Sequence, residues 1–306
     1  MTVACVPATD LSTSLHHRYR RRAAVRAQAK ICRVEELLLS RCGQIKRGCN
    51  VKIRVSYSKL GKIRFTGHRD VAHMWERTLR KAGIAVAMSV GFTPRPKMAF
   101  GLALPTGAES LIELIDITLD PVSGATVDDL DSIADRLSTS LPVGMSVTGI
   151  RECAGTEVSL QEGVVATTWV MLVAEPENGP DIATAIERVN SSAEVLLARE
   201  RKGEKHLDDI RPGILELRLA DAELMSSLPA DWIGESVGHA IVATLTTSGR
   251  GIRPTELVEV LVPESDPPIN PWDHLNRVLR INQWIERDGE RVDVLTGRAA
   301  HTSVSA

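Results

Sequence analysis

The sequence predicts an α+β protein made of two tandem ferredoxin-like units, each a split βαβ. Three observations predict it. From Val51 onward the residues read as a β-hairpin, then α, β, β, α, β, the element order of that motif. From about residue 156 the same plan returns, in element order alone and without sequence identity between the halves. Finally, 306 residues with 43% hydrophobic and 25% charged content suit about two globular domains. With aromatics at only 3%, the core has to be built from Val, Leu, Ile and Ala.

Residues 1–50 read apart from the rest. "HHRYRRRAAVRAQAK" is strongly basic and only "VEELLLS" has packing character, so this stretch is expected to be a disordered basic extension. "VKIRVSY" alternates Val51, Ile53, Val55 and Tyr57 with Lys52, Arg54 and Ser56, the pattern of a half-buried strand. Gly61 turns the chain into a short strand, "KIRF". A helix is expected over about 69–82, burying Val71, Met74, Trp75, Thr78, Leu79 and Ala82, with Thr66 or His68 as cap and Gly83 as stop. Glu76 and Arg80 are spaced to pair on its outer side.

"IAVAMSV" and "KMAFGLA" read as strands around the loop "GFTPRP". "SLIELIDITL" is a long strand, "TVDDLDSIADRLSTSL" an amphipathic helix, and "VGMSVTGIREC" closes a first unit over 51–155. The second unit, 156–290, takes strands at "VVATTWVMLVAEP", "AEVLLARE", "GILELRLA", "HAIVATLTTSG" and "RVLRINQWI". Its helices are "DIATAIERVNSS" and "RPTELVEVLV", the latter opened by Pro254. Residues 291–306 are expected to be a disordered tail.

A net charge of −2 conceals a strong polarity. Residues 1–100 hold 21 Lys and Arg against 5 Asp and Glu, a net of +16; the remainder hold 16 against 34, a net of −18. A basic end of this kind points to an anionic partner, most often nucleic acid, unless the two ends neutralise each other within the fold. No apolar run reaches the roughly 18 residues of a membrane span, and no secretory signal is apparent, so a cytoplasmic protein is expected. Four of the five cysteines (Cys5, Cys32, Cys42, Cys49) precede Val51 and Cys153 stands alone. Their spacing matches neither paired zinc ligands nor the C-x3-C-x2-C run of a radical enzyme's cluster, so no metal or cofactor is assigned.

The densest stretch is "GFTPRPKMAFG", residues 91–101. Pro94 and Pro96 stiffen a loop that carries Arg95 and Lys97, and Phe92 can stack on a base or other planar ligand. With Arg77 and Arg80 on the preceding helix, these cations can present a fixed array to phosphates. Core packing accounts equally for the phenylalanines, most of all Phe100. His68 and Asp70 meet at the helix start, where an acid–base pair and a capping arrangement both fit.

The run "GKIRFTGHRDVAHMWERTLRKAGIAVAMSVGFTPRPKMAFGLALPTGAES" resembles the signature of the radical SAM-linked proteins, the family also called DUF2344. Arg64, Phe65, His68, Asp70, Glu76, Arg77, Leu79, Arg80, Gly83, Ser89, Gly91, Phe92, Pro94, Pro96, Lys97, Phe100 and Gly101 fall in register without a gap. "DDIRPGILEL", "GIRPTEL" and "RVLR" resemble its weaker second half, adding Arg211 and Arg253 to Arg64, Arg77, Arg80, Phe92, Arg95 and Lys97 as candidate substrate contacts. Gly67, Met88, Thr93 and Arg95 depart from the family's serine, tyrosine, asparagine and second histidine. Because Arg95 stays cationic, an anion-binding role tolerates these changes better than an acid–base role does.

The resemblance implies an accessory protein for a B12-binding-type radical SAM enzyme, holding RNA or another anionic substrate. An RNA-modifying or RNA-processing enzyme using His68 and Asp70, and a protein-docking scaffold, are the alternatives.

Overall fold

A computed structural model of the chain describes residues 51–120, 130–155, 157–174, 181–201, 203–233, 238–262 and 275–298. The expected basic extension, residues 1–50, lies outside the described residues. All the described ones belong to one unit, Asn50–Ala306.

The first half runs β1 (Lys52–Lys59), a 3-10 turn (Gly61–Phe65), α1 (His68–Lys81), β2 (Met98–Phe100), β3 (Glu109–Thr118), α2 (Leu130–Ser140) and β4 (Met145–Glu152). The second runs α3 (Leu160–Gly163), β5 (Val164–Val173), α4 (Ile182–Ser191), β6 (Leu196–Arg201), β7 (Glu204–Asp209) and β8 (Ile214–Leu219). It continues with α5 (Ala222–Ser227), α6 (Ala230–Ile233), β9 (His239–Thr246), α7 (Pro254–Leu261), β10 (Leu275–Arg287) and β11 (Glu290–Asp293). Among the described residues one mixed sheet takes the order β4-β1-β3-β10-β5-β9-β8, with β2 added to β3 and β11 to β10. The protein is thus α+β with a large mixed sheet. Residues 153–159, where a boundary between units is expected, lie between β4 and β5 of this single sheet.

The alternation of β1 buries Ile53, Val55 and Tyr57 against α1 and α2, which contribute Val71, Trp75, Leu79, Ile133 and Leu137 to one core. Tyr57 meets Trp75 edge to face at 5.0 Å between ring centres. Arg136 of α2 donates to the carbonyls of Ala82 and Gly83, satisfying the last turn of α1 with a cation where the helix dipole favours one. In the second half, Trp169, Met171 and Val173 of β5 pack with α4 and α7, while the alternate residues Val170 and Leu172 join a separate cluster with Trp232.

Several expected elements differ. "KIRF" is a 3-10 turn, not a strand: Gly144, at φ 92°, approaches Leu60 so closely that a β-carbon would strike its carbonyl oxygen, and Leu60 N–H donates to Gly144 O at 2.8 Å. "IAVAMSV" makes only isolated bridges at Val86 and Met88, and "KMAFGLA" contributes three strand residues, after which the carbonyls of Leu102 and Ala103 accept from Arg280 of β10. "AEVLLARE" leaves the main sheet and pairs with β7, a strand the sequence reading missed. The expected tail begins instead with β11, and Val294 after it is buried; residues 299–306 lie outside the described set.

β3 and β10 are parallel and meet over only two register pairs, Leu279 with Glu109 and Arg280 with Ser110. Side chains complete this seam. Arg277 Nε and Nη2 donate to Glu109 Oε2 at 3.1 and 2.6 Å, and Arg280 Nη1 donates to Glu113 Oε1 at 2.9 Å. Arg280 also donates to the carbonyls of Leu102 and Ala103, and Gln283 Nε2 to that of Ile112. Burial raises the carboxyl pKa of Glu113, with Arg280 opposing the rise.

The outer part of the first half carries a second polar cluster. Arg54 and Asp116 are 3% and 4% exposed and form a bidentate pair at 2.7 and 3.0 Å. Glu157 accepts two bonds from Arg151 at 2.6 and 2.7 Å, which holds its carboxyl down at about 2 against the cost of burial. Burial, with Asp116 next, pushes the Cys153 thiol up to about 11, so it stays protonated at neutral pH.

Two outcomes are expected. Arg280→Ala strands Glu113 in the interior and lowers stability in urea melts by about 3–5 kcal/mol, while Arg280→Met with Glu113→Leu recovers part of the loss. Glu157 is depressed below its unfolded value of about 4.3, so its contribution is complete above that pH and disappears as pH falls toward 2. The stability gap between the wild type and Glu157→Gln is therefore constant from pH 7 to about 5 and closes below that in acid-denaturation curves.

Candidate functional site

The residues of the signature form two clusters, one at each end of β2. At the first, Gly67 is the N-cap of α1 and provides no side-chain cap, in place of the expected Thr66 or His68. Thr66 instead turns its hydroxyl to Ile63 O at 2.7 Å, and Lys59 Nζ donates to Thr66 O at 2.9 Å. His68 is exposed and its ring meets Phe100 edge-on at 5.2 Å. Asp70 sits exposed in the first turn. Arg64 lies over the Phe65 ring at 4.6 Å, with Nη1 3.9 Å from Glu109. Phe65 itself, on a turn pinned by Gly61 N–H donating to Glu109 Oε1 at 2.6 Å, is 62% exposed.

The second cluster is a hairpin. Met88 bridges Pro96, Lys97 N–H donates to Ala87 O, and Ser89 and Arg95 exchange two bonds, one through the serine hydroxyl. Gly91, at φ 151°, sits at the tip, and Val90 and Phe92 there are fully exposed. Arg95 and Lys97 are exposed beside them. Phe100, in contrast, is half-buried and packs on the core of the first half.

α1 links the two clusters. Its outer side carries Arg69, His73, Arg77, Arg80 and Lys81, all exposed. Arg80 donates to the Glu76 carbonyl at 3.3 Å, while the Glu76 carboxylate meets His73, so the expected Glu76–Arg80 ion pair does not form. Arg69, Arg77, Lys81, Arg95 and Lys97 make no ion pair among the described residues. In the second half Arg199 pairs with Glu256 and Asp208, Arg218 with Glu216 and Asp221, and Arg250 with Asp208, while Lys205, Arg253 and Arg287 are exposed and make no ion pair among the described residues.

Arg211 and Arg253 do not join this surface. β8, which Arg211 precedes, is four strand spacings from β3, or roughly 19 Å. Arg211 spends its guanidinium on the carbonyls of Ile214 and Asn190. Arg253 opens α7, its N–H donating to Glu256. The two segments do meet around a cleft of about 560 Å³, lined by His206, Asp208, Ile210, Ser248, Arg250 and Ile252 among others.

Sequence reasoning also missed Glu109 and Arg277, which position the Phe65 turn from the seam. The only signal was their place in "LPTGAES" and "RVLR". Among the described residues, no three His, Cys, Asp or Glu side chains are grouped to hold a metal ion, and no helix is long and apolar enough to cross a membrane.

No curated protein matches the chain. A crystal structure of a Cbf5-Nop10-Gar1 complex is similar over 76% of this chain and 48% of that chain, at 7% identity and a TM-score of 0.39. This chain therefore spans about half the length of that one. A family model described as "Uncharacterized protein conserved in bacteria (DUF2344)" matches residues 52–254. That match covers more than half of the sequence and includes both clusters, and the chain belongs to the DUF2344 family.

Proposed function

We propose that this protein is an accessory binding module that holds RNA on α1 and the 86–98 hairpin and presents it to a separate radical SAM enzyme. One observation carries the reading: Arg69, Arg77, Lys81, Arg95 and Lys97 are gathered on one helix and one hairpin, exposed and without ion-pair partners among the described residues. Unpaired, solvated cations on a fixed scaffold neutralise a polyanion's phosphates and release the counterions condensed on them. An exposed aromatic among them suits bases as well as phosphates. The partner enters through the resemblance of the signature to radical SAM-linked proteins, and a cytoplasmic setting follows from the same reading.

The reading extends to the fold. The halves are a duplicated split βαβ, supported by the antiparallel orders β4-β1-β3-β2 and β10-β5-β9-β8, each of the form 4-1-3-2. The first copy is near neutral, with 13 Lys and Arg against 11 Asp and Glu over 51–155, and gathers its free cations on α1 and the hairpin, while the second, with 12 against 24 over 156–290, is acidic.

Catalysis by His68 and Asp70 is the competing reading, and two experiments separate them. RNA affinity falls steeply with salt, and Arg95→Ala with Lys97→Ala lowers both the affinity and the salt slope, the latter by at most about 2 in filter-binding titrations. Unchanged binding in that double variant places the site elsewhere. His68→Ala loses its edge contact with Phe100, at about 1 kcal/mol in thermal melts, and leaves RNA unmodified by the protein alone, as the wild type does. Wild-type protein that cleaves or modifies RNA unaided, with turnover lost in folded His68→Ala, sinks the accessory role.

A further inference from the structure

Phe65 is a second exposed aromatic at this surface, and it differs from an ordinary surface residue in three respects. The chain has only three phenylalanines, Phe65, Phe92 and Phe100, and two of them face solvent. Of the larger aromatics among the described residues, Tyr57, Trp75, Trp169 and Trp232 are at most 3% exposed and Trp284 is partly buried. Phe65 is also fixed, because its turn is tied at Gly61 to Glu109 and at Thr66 to Lys59. Lastly, the Arg64 guanidinium lies over its ring at 4.6 Å, while the residue keeps 62% of its surface open.

Resting on the RNA reading above, we infer that the ligand is single-stranded RNA engaged at two stacking stations, Phe65 at the start of α1 and Phe92 beyond its end. The bases of a duplex have their faces stacked on one another, so two exposed rings select a strand whose bases are free. α1 is 14 residues long, or roughly 21 Å, and the row of exposed cations on its outer side, Arg69, Arg77, Arg80 and Lys81, falls between Phe65 and Phe92 in the chain. The strand's phosphates follow that row while one base stacks at each end. Arg64 adds its charge beside the ring and stiffens the first station. A short oligomer cannot reach both rings, which makes affinity depend on length as well as on strandedness.

The test is fluorescence anisotropy with the full chain and labelled RNA at low salt: single strands of about 4 and about 12 nucleotides, and a duplex of the longer one. The wild type is expected to prefer the longer single strand to both. Phe65→Ala and Phe92→Ala each weaken the longer strand roughly 5- to 150-fold, the range of one base–aromatic stack, and Phe65→Trp restores binding. On the short strand the double variant loses no more than one stack. The two stations are overturned if Phe65→Ala binds like wild type while Arg95→Ala with Lys97→Ala weakens binding; the RNA reading then stands. They are overturned equally if duplex and single strand bind alike, or if Phe65→Ala abolishes capture of a radical SAM enzyme but leaves RNA affinity intact. Wild-type protein that binds none of the three RNAs removes the RNA reading itself.

Discussion

One carboxylate, that of Glu109, joins the halves of the molecule to its exposed surface. It is 1% exposed, and its two oxygens do different jobs. Oε2 accepts both Nε and Nη2 of Arg277, drawing β10 against β3 across a seam with only two register pairs. Oε1 accepts the Gly61 N–H and so fixes the turn that carries Arg64 and Phe65. Arg280 repeats the device with Glu113 and the carbonyls of Leu102 and Ala103, which settles the segment entering the "LPTG" turn. Buried ion pairs add little net stability because desolvation offsets attraction, but breaking one leaves a charge without water or partner. That asymmetry makes the seam a constraint on register more than a source of strength. The signature's geometry therefore depends on residues of β10, far away in sequence.

The same accounting of charge explains why the polarity of the sequence does not cancel inside the fold. The seam consumes two arginines of β10, and the second half pairs Arg199, Arg218 and Arg250 with its own carboxylates. Within 51–100, only Asp70 and Glu76 are acidic, and Glu76 turns to His73. Of the basic residues in that stretch, Lys52 and Arg54 are spent on Asp116 and Lys59 on a backbone carbonyl. Arg64 on the 3-10 turn lies beside Glu109, and apart from Lys62 on the same turn, what remains lies on α1 and the hairpin, in solvent. A net charge near zero thus coexists with a locally basic field, the arrangement that steers an anion to one side of a molecule.

Much of the fold was legible because it rests on local periodicity. The alternation in "VKIRVSY" and the apolar side of α1 report their packing on each other, although β1 is not half-buried as expected, since Arg54, Ser56 and Ser58 on its other face are buried as well. The errors fall where a distant element decides. "KIRF" has strand composition, but the close approach of Gly144 bends it into a 3-10 turn. "KMAFGLA" is long enough for a full strand, but after Gly101 the carbonyls of Leu102 and Ala103 accept from Arg280 of β10 and the pairing with β3 stops. "AEVLLARE" has strand composition and still leaves the sheet, pairing with β7 while Arg199 reaches Glu256. In the hairpin, the exposure of Phe92, Arg95 and Lys97 was readable from a rigid, glycine-initiated loop. Phe65 was not, because nothing local distinguishes an exposed aromatic from one in a strand. Arg211 was read as a contact and proves to close backbone carbonyls at β8.

The exposed apolar residues of the hairpin impose a last constraint. Met88, Val90 and Phe92 are 49%, 101% and 110% exposed on one short excursion, next to Pro94, Pro96 and two cations. Scattered surface hydrophobics require no explanation, but several on one stiffened hairpin leave apolar area that no other described residue covers. β2 already secures the base of the hairpin against β3. The prolines lower the entropy that the tip would lose on meeting a ligand, so the tip is preorganised at the cost of an unsatisfied surface. Flanking cations keep that surface soluble and set what it can meet, favouring a partner that offers flat apolar faces and negative charge together. A nucleic-acid strand with unstacked bases has both.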